Sequence, residues 1–145
     1  MKVDKKNHIR RRIKDFFASK EEVLFVYLFG SMVDKEKFRD VDIAVYMKST
    51  PDLISRGKLQ AALDRILAGT VDVTILNELP AKNPAFAYEI VTKGVLLLNR
   101  DPDLHTTYKS KVYRYYFDTA YLRDQFEGAF RKRLTSGNFG KRNYE

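Results

Sequence analysis

Two short stretches of this chain hold the residue types that hard cations and phosphates need. Leu28-Phe29-Gly30-Ser31 ends an apolar run, and eight residues separate Ser31 from Asp40-Val41-Asp42-Ile43-Ala44-Val45. Successive side chains on a strand point to opposite faces, so Asp40 and Asp42 share one face while Val41, Ile43 and Val45 share the other. Two carboxylates about 7 Å apart along a strand, with a core beneath them, make a rigid site for hard divalent cations. Gly-Ser supplies a backbone able to approach a phosphate closely, opening a helix whose N-terminal N–H groups attract anions. A third candidate carboxylate, Asp72, begins the apolar run Thr70-Val71-Asp72-Val73-Thr74-Ile75-Leu76. Each piece alone also fits a turn or a solvated strand end. Their order, spacing and flanking strands together fit one site for nucleotide chemistry.

The elements that must position these residues follow from pattern. Lys5 to Phe17 reads as a helix with Ile9, Ile13, Phe16 and Phe17 on one side. The continuous apolar run Val23 to Phe29 suits a buried strand. Ser31 to about Lys37 is a short helix or loop, and Val41 to Met47 a second strand. Ser49-Thr50-Pro51 offers a cap for an amphipathic helix through Leu53, Leu59, Leu63, Ile66 and Leu67 to Gly69. Val71 to Leu76 is the third strand. Pro84 to Val91 is helical, Gly94 stops it, and Val95 to Leu98 makes a last short strand. A long helix follows from about Asp103 to Leu134, then a tail with little to bury. For Ser31 to meet Asp40, strands one and two must run antiparallel. For Asp72 to join them, strands two and three must run parallel, joined by the crossover helix. The expected class is α/β (α+β): a small mixed sheet of about four strands flanked by helices.

Size and composition agree with one core. The chain has 145 residues and no cysteine, which excludes disulfides and thiolate metal sites. No apolar run approaches a membrane span, and no apolar segment follows the basic start as a secretory signal requires. A cytoplasmic protein is therefore expected. The net charge of +8 is uneven: residues 1–20 carry +6, residues 131–145 carry +4, and the middle −2. Such ends could meet nucleic acid or an acidic protein surface, but no RNA- or DNA-reading motif accompanies them.

The combination of Gly30, Ser31, Asp40, Asp42 and Asp72 resembles the nucleotidyltransferase fold of the DNA polymerase β superfamily, and within it the minimal nucleotidyltransferases. The stretches Val71-Asp72-Val73 through Leu79 and Tyr88-Glu89-Ile90 through Leu97 also look like that family, so the resemblance covers roughly residues 20–100. It implies a nucleotidyltransferase domain over 1–100, with the C-terminal helix and basic tail, 101–145, packed on it or extending from it. It further implies in-line transfer from ATP. Asp40 and Asp42 would hold two Mg²⁺ ions roughly 4 Å apart, Asp72 would complete the metal that binds the attacking oxygen, and Gly30 and Ser31 would anchor the triphosphate. No histidine base is needed, and His8 and His105 are expected at the surface.

In relatives of this size the partner is often a separate HEPN ribonuclease toxin, so the resemblance implies an MNT-type antitoxin that attaches AMP to a toxin tyrosine. Where relatives commonly read Gly-Ser-x-Ala-Arg-Gly, this chain has Gly30-Ser31-Met32-Val33-Asp34-Lys35. An acidic residue beside a triphosphate is unfavourable unless it points away. That departure favours a second reading, a catalytically weak module that neutralises by stoichiometric binding. A third is nucleic-acid binding through the basic ends. On the C-terminal helix, Val112, Tyr115, Thr119, Leu122, Phe126 and Ala129 form one seam, expected to pack on the sheet. Tyr113, Phe117 and Tyr121 form a second stripe, expected at an interface with a helical toxin or a second copy of the chain.

Overall fold

The sheet is built from β1 (Val23–Phe29), β2 (Asp40–Met47), β3 (Thr70–Ile75) and β4 (Val95–Asn99), in the order β3-β2-β1-β4. This computed structural model describes residues 2–36, 38–67 and 69–136, so the expected basic tail at 137–145 lies outside it. β1 and β2 run antiparallel, β2 and β3 parallel, and β4 antiparallel to β1. β1 is central and covered on both faces, which is why its sequence is uniformly apolar instead of alternating.

Helices cover both faces. On one, Ile13 and Phe17 of α1 (Lys2–Ala18) and Leu63 of α3 (Leu53–Leu67) bury Val26, Leu28, Ile43, Val45 and Val71. On the other, Ala87 and Ile90 of α5 (Pro84–Lys93) and Tyr108 and Val112 of α6 (Pro102–Ser136) bury Phe25, Tyr27 and Ala44. Two single turns complete the set, α2 (Ser31–Asp34) and α4 (Leu79–Lys82), the second in a stretch with no periodic signature to announce it. The α3 cap is Asp52, whose Oδ1 accepts the Ser55 N–H at 2.7 Å, not the expected Ser49-Thr50. The C-terminal end of α1 is closed by Arg100. Its guanidinium donates to the carbonyls of Phe17, Ala18, Lys20 and Val23 at 2.7–3.1 Å.

The outer edge of β3 is met by side chains of α3. Gln60 Nε2 donates to the Val71 carbonyl, Gln60 Oε1 accepts the Val73 N–H at 3.1 Å, and Asp64 Oδ1 accepts the Val71 N–H at 3.2 Å.

Two expectations are corrected. His105 is not at the surface: it is 6% exposed, and its Nε2 shares a 2.6 Å hydrogen bond with the Tyr27 hydroxyl. Burial pulls its pKa below the usual imidazole value, with Lys109 adding to the effect. Burial pushes the Tyr27 hydroxyl up to about 12. The expected sheet-facing seam of α6 holds only at its start. Val112 is buried, but Leu122 and Phe126 are exposed, Phe126 by 80%. With 35 residues α6 is about 52 Å long, so its distal half runs past the domain it starts on. Among the described residues its distal aromatic contacts with α5 are Tyr88 stacked on Tyr116 at 3.8 Å and Tyr88 edge-to-face with Phe117 at 6.1 Å, with the Arg123 guanidinium 4.1 Å from the Tyr116 ring centre. Phe117 is 62% exposed, with Tyr121 and Leu122 exposed beside it.

Candidate active site

Asp42 sits opposite Phe29 on the antiparallel side and opposite Asp72 on the parallel side. In a parallel pair residues in register lie side by side on one face, with strands about 4.8 Å apart. Asp40, two residues earlier on that face, faces Thr70. The structure thus brings all three predicted carboxylates to one end of neighbouring strands. This is the face covered by α5 and α6 further along, since Ala44 in the same pleat belongs to their core.

The electrostatics follow from this crowding. Asp42 is held above the usual carboxylate pKa, first by partial burial, then by the charges of Asp72 and Asp40, and by a side-chain hydrogen bond to Asp72. Carboxylates this close repel unless a proton or a cation lies among them. Among the described residues no three acidic, histidine or cysteine side chains close into a ready-made metal cage. Such an open, purely oxygen donor set fits Mg²⁺, which dehydrates reluctantly and is usually bound by one or two carboxylates plus substrate phosphates.

Gly30 and Ser31 join the cluster through the turn that leaves β1. Gly30 has φ +77° and ψ −154°, a backbone region that only glycine adopts readily. A Cβ there would lie 2.1 Å from Asp42 Oδ2. The backbone of the Gly-Ser turn therefore presses directly on the carboxylate site. The helix that follows is one turn, with the Val33 and Asp34 N–H groups both bonded to the Gly30 carbonyl at 3.0 and 3.1 Å. It is too short to present the helix dipole expected from sequence.

Ser31 also lines an open groove of about 500 Å³, together, among the described residues, with Lys35, Phe38 and Arg39. Asp34, the residue that departs from the common motif, is exposed and does not line it. Lys35 and Arg39 are groove-lining cations that the Gly30-Ser31 and Asp40-Val41-Asp42 motif does not mark. The available signal was two basic residues bracketing the loop between Ser31 and Asp40.

No helix among the described residues is long and apolar enough to cross a membrane. The fold is similar to that of toxin–antitoxin complexes. A toxin–antitoxin crystal structure with AMP-PNP matches with a TM-score of 0.69 at 23% identity, covering 83% of this chain and 97% of that chain. A complex of a tri-AMPylated Shewanella oneidensis HEPN toxin with an MNT antitoxin matches with a TM-score of 0.61 at 23% identity, covering 89% of this chain and 98% of that one. An MntA–HepT toxin–antitoxin structure matches with a TM-score of 0.62 at 23% identity, covering 86% and 96%. No curated protein matches the chain significantly. The family described as polymerase beta, nucleotidyltransferase, matches residues 11–103, well over half of the chain and every residue of the carboxylate cluster. This chain belongs to the polymerase beta nucleotidyltransferase family.

Proposed function

We propose that this chain is an antitoxin that transfers AMP from ATP to a tyrosine hydroxyl of a cognate HEPN-type ribonuclease toxin. The observation that carries the reading is the register of Asp42 with Asp72 across β2 and β3, with the strained Gly30 backbone against the Asp42 carboxylate. The similar structures that contain AMP-PNP and a tri-AMPylated HEPN toxin support the donor and the acceptor. In the reaction the acceptor oxygen forms a bond to the α-phosphorus, the bond from that phosphorus to the bridging oxygen breaks, and pyrophosphate leaves. The hydroxyl proton is lost to water.

The chain's own residues orient and hold. Asp40, Asp42 and Asp72 would hold Mg²⁺, which when bound supplies Lewis acidity to the phosphoryl oxygens and lowers the pKa of the acceptor hydroxyl. Ser31 and the Gly30 backbone bind the triphosphate beside them. The part up to residue 100 is the transferase, and the helix beyond it, with its exposed Phe117 and Tyr121, carries the partner. The cytoplasm, where ATP is plentiful, is the working compartment.

The test is label transfer. Purified chain, its HEPN partner, Mg²⁺ and ATP labelled at the α-phosphate should yield labelled partner, and label at the γ-phosphate should not transfer. Neutralisation of the toxin with no label incorporated would establish the binding-only reading instead.

A further inference from the structure

Of the three carboxylates, Asp72 stands on the strand with the least support from the sheet. Asp42 has a strand partner on each side, Phe29 in β1 and Asp72 in β3. Asp72 lies on the outer strand of the order β3-β2-β1-β4 and has Asp42 alone. A reacting carboxylate tolerates little play, so the free side of β3 needs a second holder. The helix α3 supplies it. Gln60 and Asp64 stand one turn apart on that helix, and the fully buried Leu63 between them fixes its distance from the sheet. The Gln60 amide bonds the Val71 carbonyl and the Val73 N–H, and the Asp64 carboxylate accepts the Val71 N–H. Asp64 Oδ1 also accepts from Gln60 Nε2 at 3.1 Å, which ties the two side chains to each other. The bonds to the strand fall on the residue before Asp72 and on the residue after it.

The direction of approach defines what these side chains can do. Leu63 of α3 packs on the face of the sheet that holds Ile43, Val45 and Val71, whereas Asp42 and Asp72 alternate with those residues onto the other face. Gln60 and Asp64 therefore grip the backbone of β3 from the side of the sheet opposite the carboxylates. Resting on the nucleotidyl-transfer reading, we propose that Gln60 and Asp64 are positioning residues that hold Asp72 in place beside Asp42. Asp64 acts as a hydrogen-bond acceptor for two N–H groups, a task that a neutral carboxamide performs as well. Loosening β3 at Val71 and Val73 displaces Asp72 while β2, Gly30 and Ser31 stay where they are. Asp72 serves the acceptor oxygen, and Gly30 and Ser31 serve the triphosphate, so the loss falls on turnover and spares nucleotide binding.

Variants of the full chain, assayed with its partner, Mg²⁺ and α-labelled ATP, test this. Gln60→Met keeps the side-chain length and the helix propensity but removes the amide bonds. Its kcat should fall at least about tenfold while KM for ATP stays within about twofold. Asp64→Asn should transfer within about threefold of wild type, whereas Asp64→Leu should fall with Gln60→Met. Combined with Asp72→Asn, Gln60→Met should add no further loss, because it acts through the group already changed. Amide hydrogen exchange of the chain alone gives a readout independent of turnover. In Gln60→Met the Val73 N–H should exchange at least about tenfold faster, with Ile43 and Val45 unchanged. Wild-type kcat in Gln60→Met, faster exchange spread over the whole sheet, or full additivity with Asp72→Asn overturns the assignment. So does an Asp64→Asn variant as impaired as Asp64→Leu. A wild-type chain that transfers no label, a result seen without any variant, overturns the nucleotidyl-transfer reading itself, and the positioning role falls with it.

Discussion

Replacing Gly30 with alanine tests the site at its tightest point. The substitution adds one methyl group, in a backbone region where a side chain costs about 1–3 kcal/mol. The new Cβ would stand 2.1 Å from Asp42 Oδ2. An ordinary contact needs roughly 3.4 Å, so the carboxylate must retreat by roughly 1.3 Å or the turn must open by as much. A misplacement of about 1 Å in a reacting geometry costs on the order of 100-fold in rate. A strain of about 2 kcal/mol in a domain this size lowers the melting temperature by roughly 5–8 °C, which leaves the protein folded at 25 °C. Gly30→Ala should therefore remain a folded, mildly destabilised protein whose AMP transfer falls by about two orders of magnitude. The assay is single-turnover incorporation of label from α-labelled ATP, beside thermal melting of the same preparation. A folded Gly30→Ala variant that transfers within about threefold of wild type would refute the reasoning, because the carboxylate could not then have been displaced from a position that matters.

Asp42→Asn removes a charge from the crowded cluster. Transfer should fall by on the order of 100–1000-fold. Because Asp42 titrates above its unfolded value, its charged form costs stability at neutral pH, and that cost disappears as pH falls below the usual carboxylate range. The variant should thus melt at or above the wild-type temperature at pH 7, and a lower melting point would contradict the crowding argument. His105 has the opposite sign. Its folded pKa is depressed, so the unfolded chain takes up the proton first and stability should drop as pH falls through about 6.5. His105→Gln, which keeps an acceptor for Tyr27, should flatten that slope in urea titrations between about pH 7 and 5; an unchanged slope would assign it to another group. Phe117→Ala should weaken association with the partner by at least about tenfold, since a buried aromatic anchor commonly contributes about 2 kcal/mol or more. The side chain is 62% exposed and meets its own domain edge-to-face at Tyr88, so melting should fall only slightly, and normal binding by the folded variant would withdraw Phe117 from the interface.

The sequence was most readable where one local pattern determined the outcome. The run Val23 to Phe29 suited a buried strand, and the condition that Ser31, Asp40 and Asp72 meet called for one antiparallel and one parallel pairing, which are the pairings observed. Gly30 was legible as a special backbone position, though not as a close neighbour of Asp42. What stayed hidden depended on distant partners. His105 looks like an ordinary residue in a first helical turn until Tyr27, 78 positions earlier, is packed against it. Arg100 carries no sign that it will close the end of a helix more than 80 residues away. The periodicity of α6 identified which residues share a side but carried no information on where the sheet beneath them stops. For that reason Leu122 and Phe126 were assigned to a core that does not reach them.

The side-chain clasp on β3 has a consequence for how this sheet can meet other chains. A bare sheet rim is a template on which any extended segment can pair, and natural proteins obstruct such rims. At Val71 and Val73 the amide of Gln60 and the carboxylate of Asp64 already occupy the groups that an incoming strand would use. The amide acts as a surrogate for one residue of a fifth strand, bracketing Asp72 from the side away from β2. A peptide or a second copy seeking to extend the sheet there must first break those bonds. Strand-mediated growth is thereby disfavoured at the edge that carries Asp72, which leaves β4 as the other rim of the sheet.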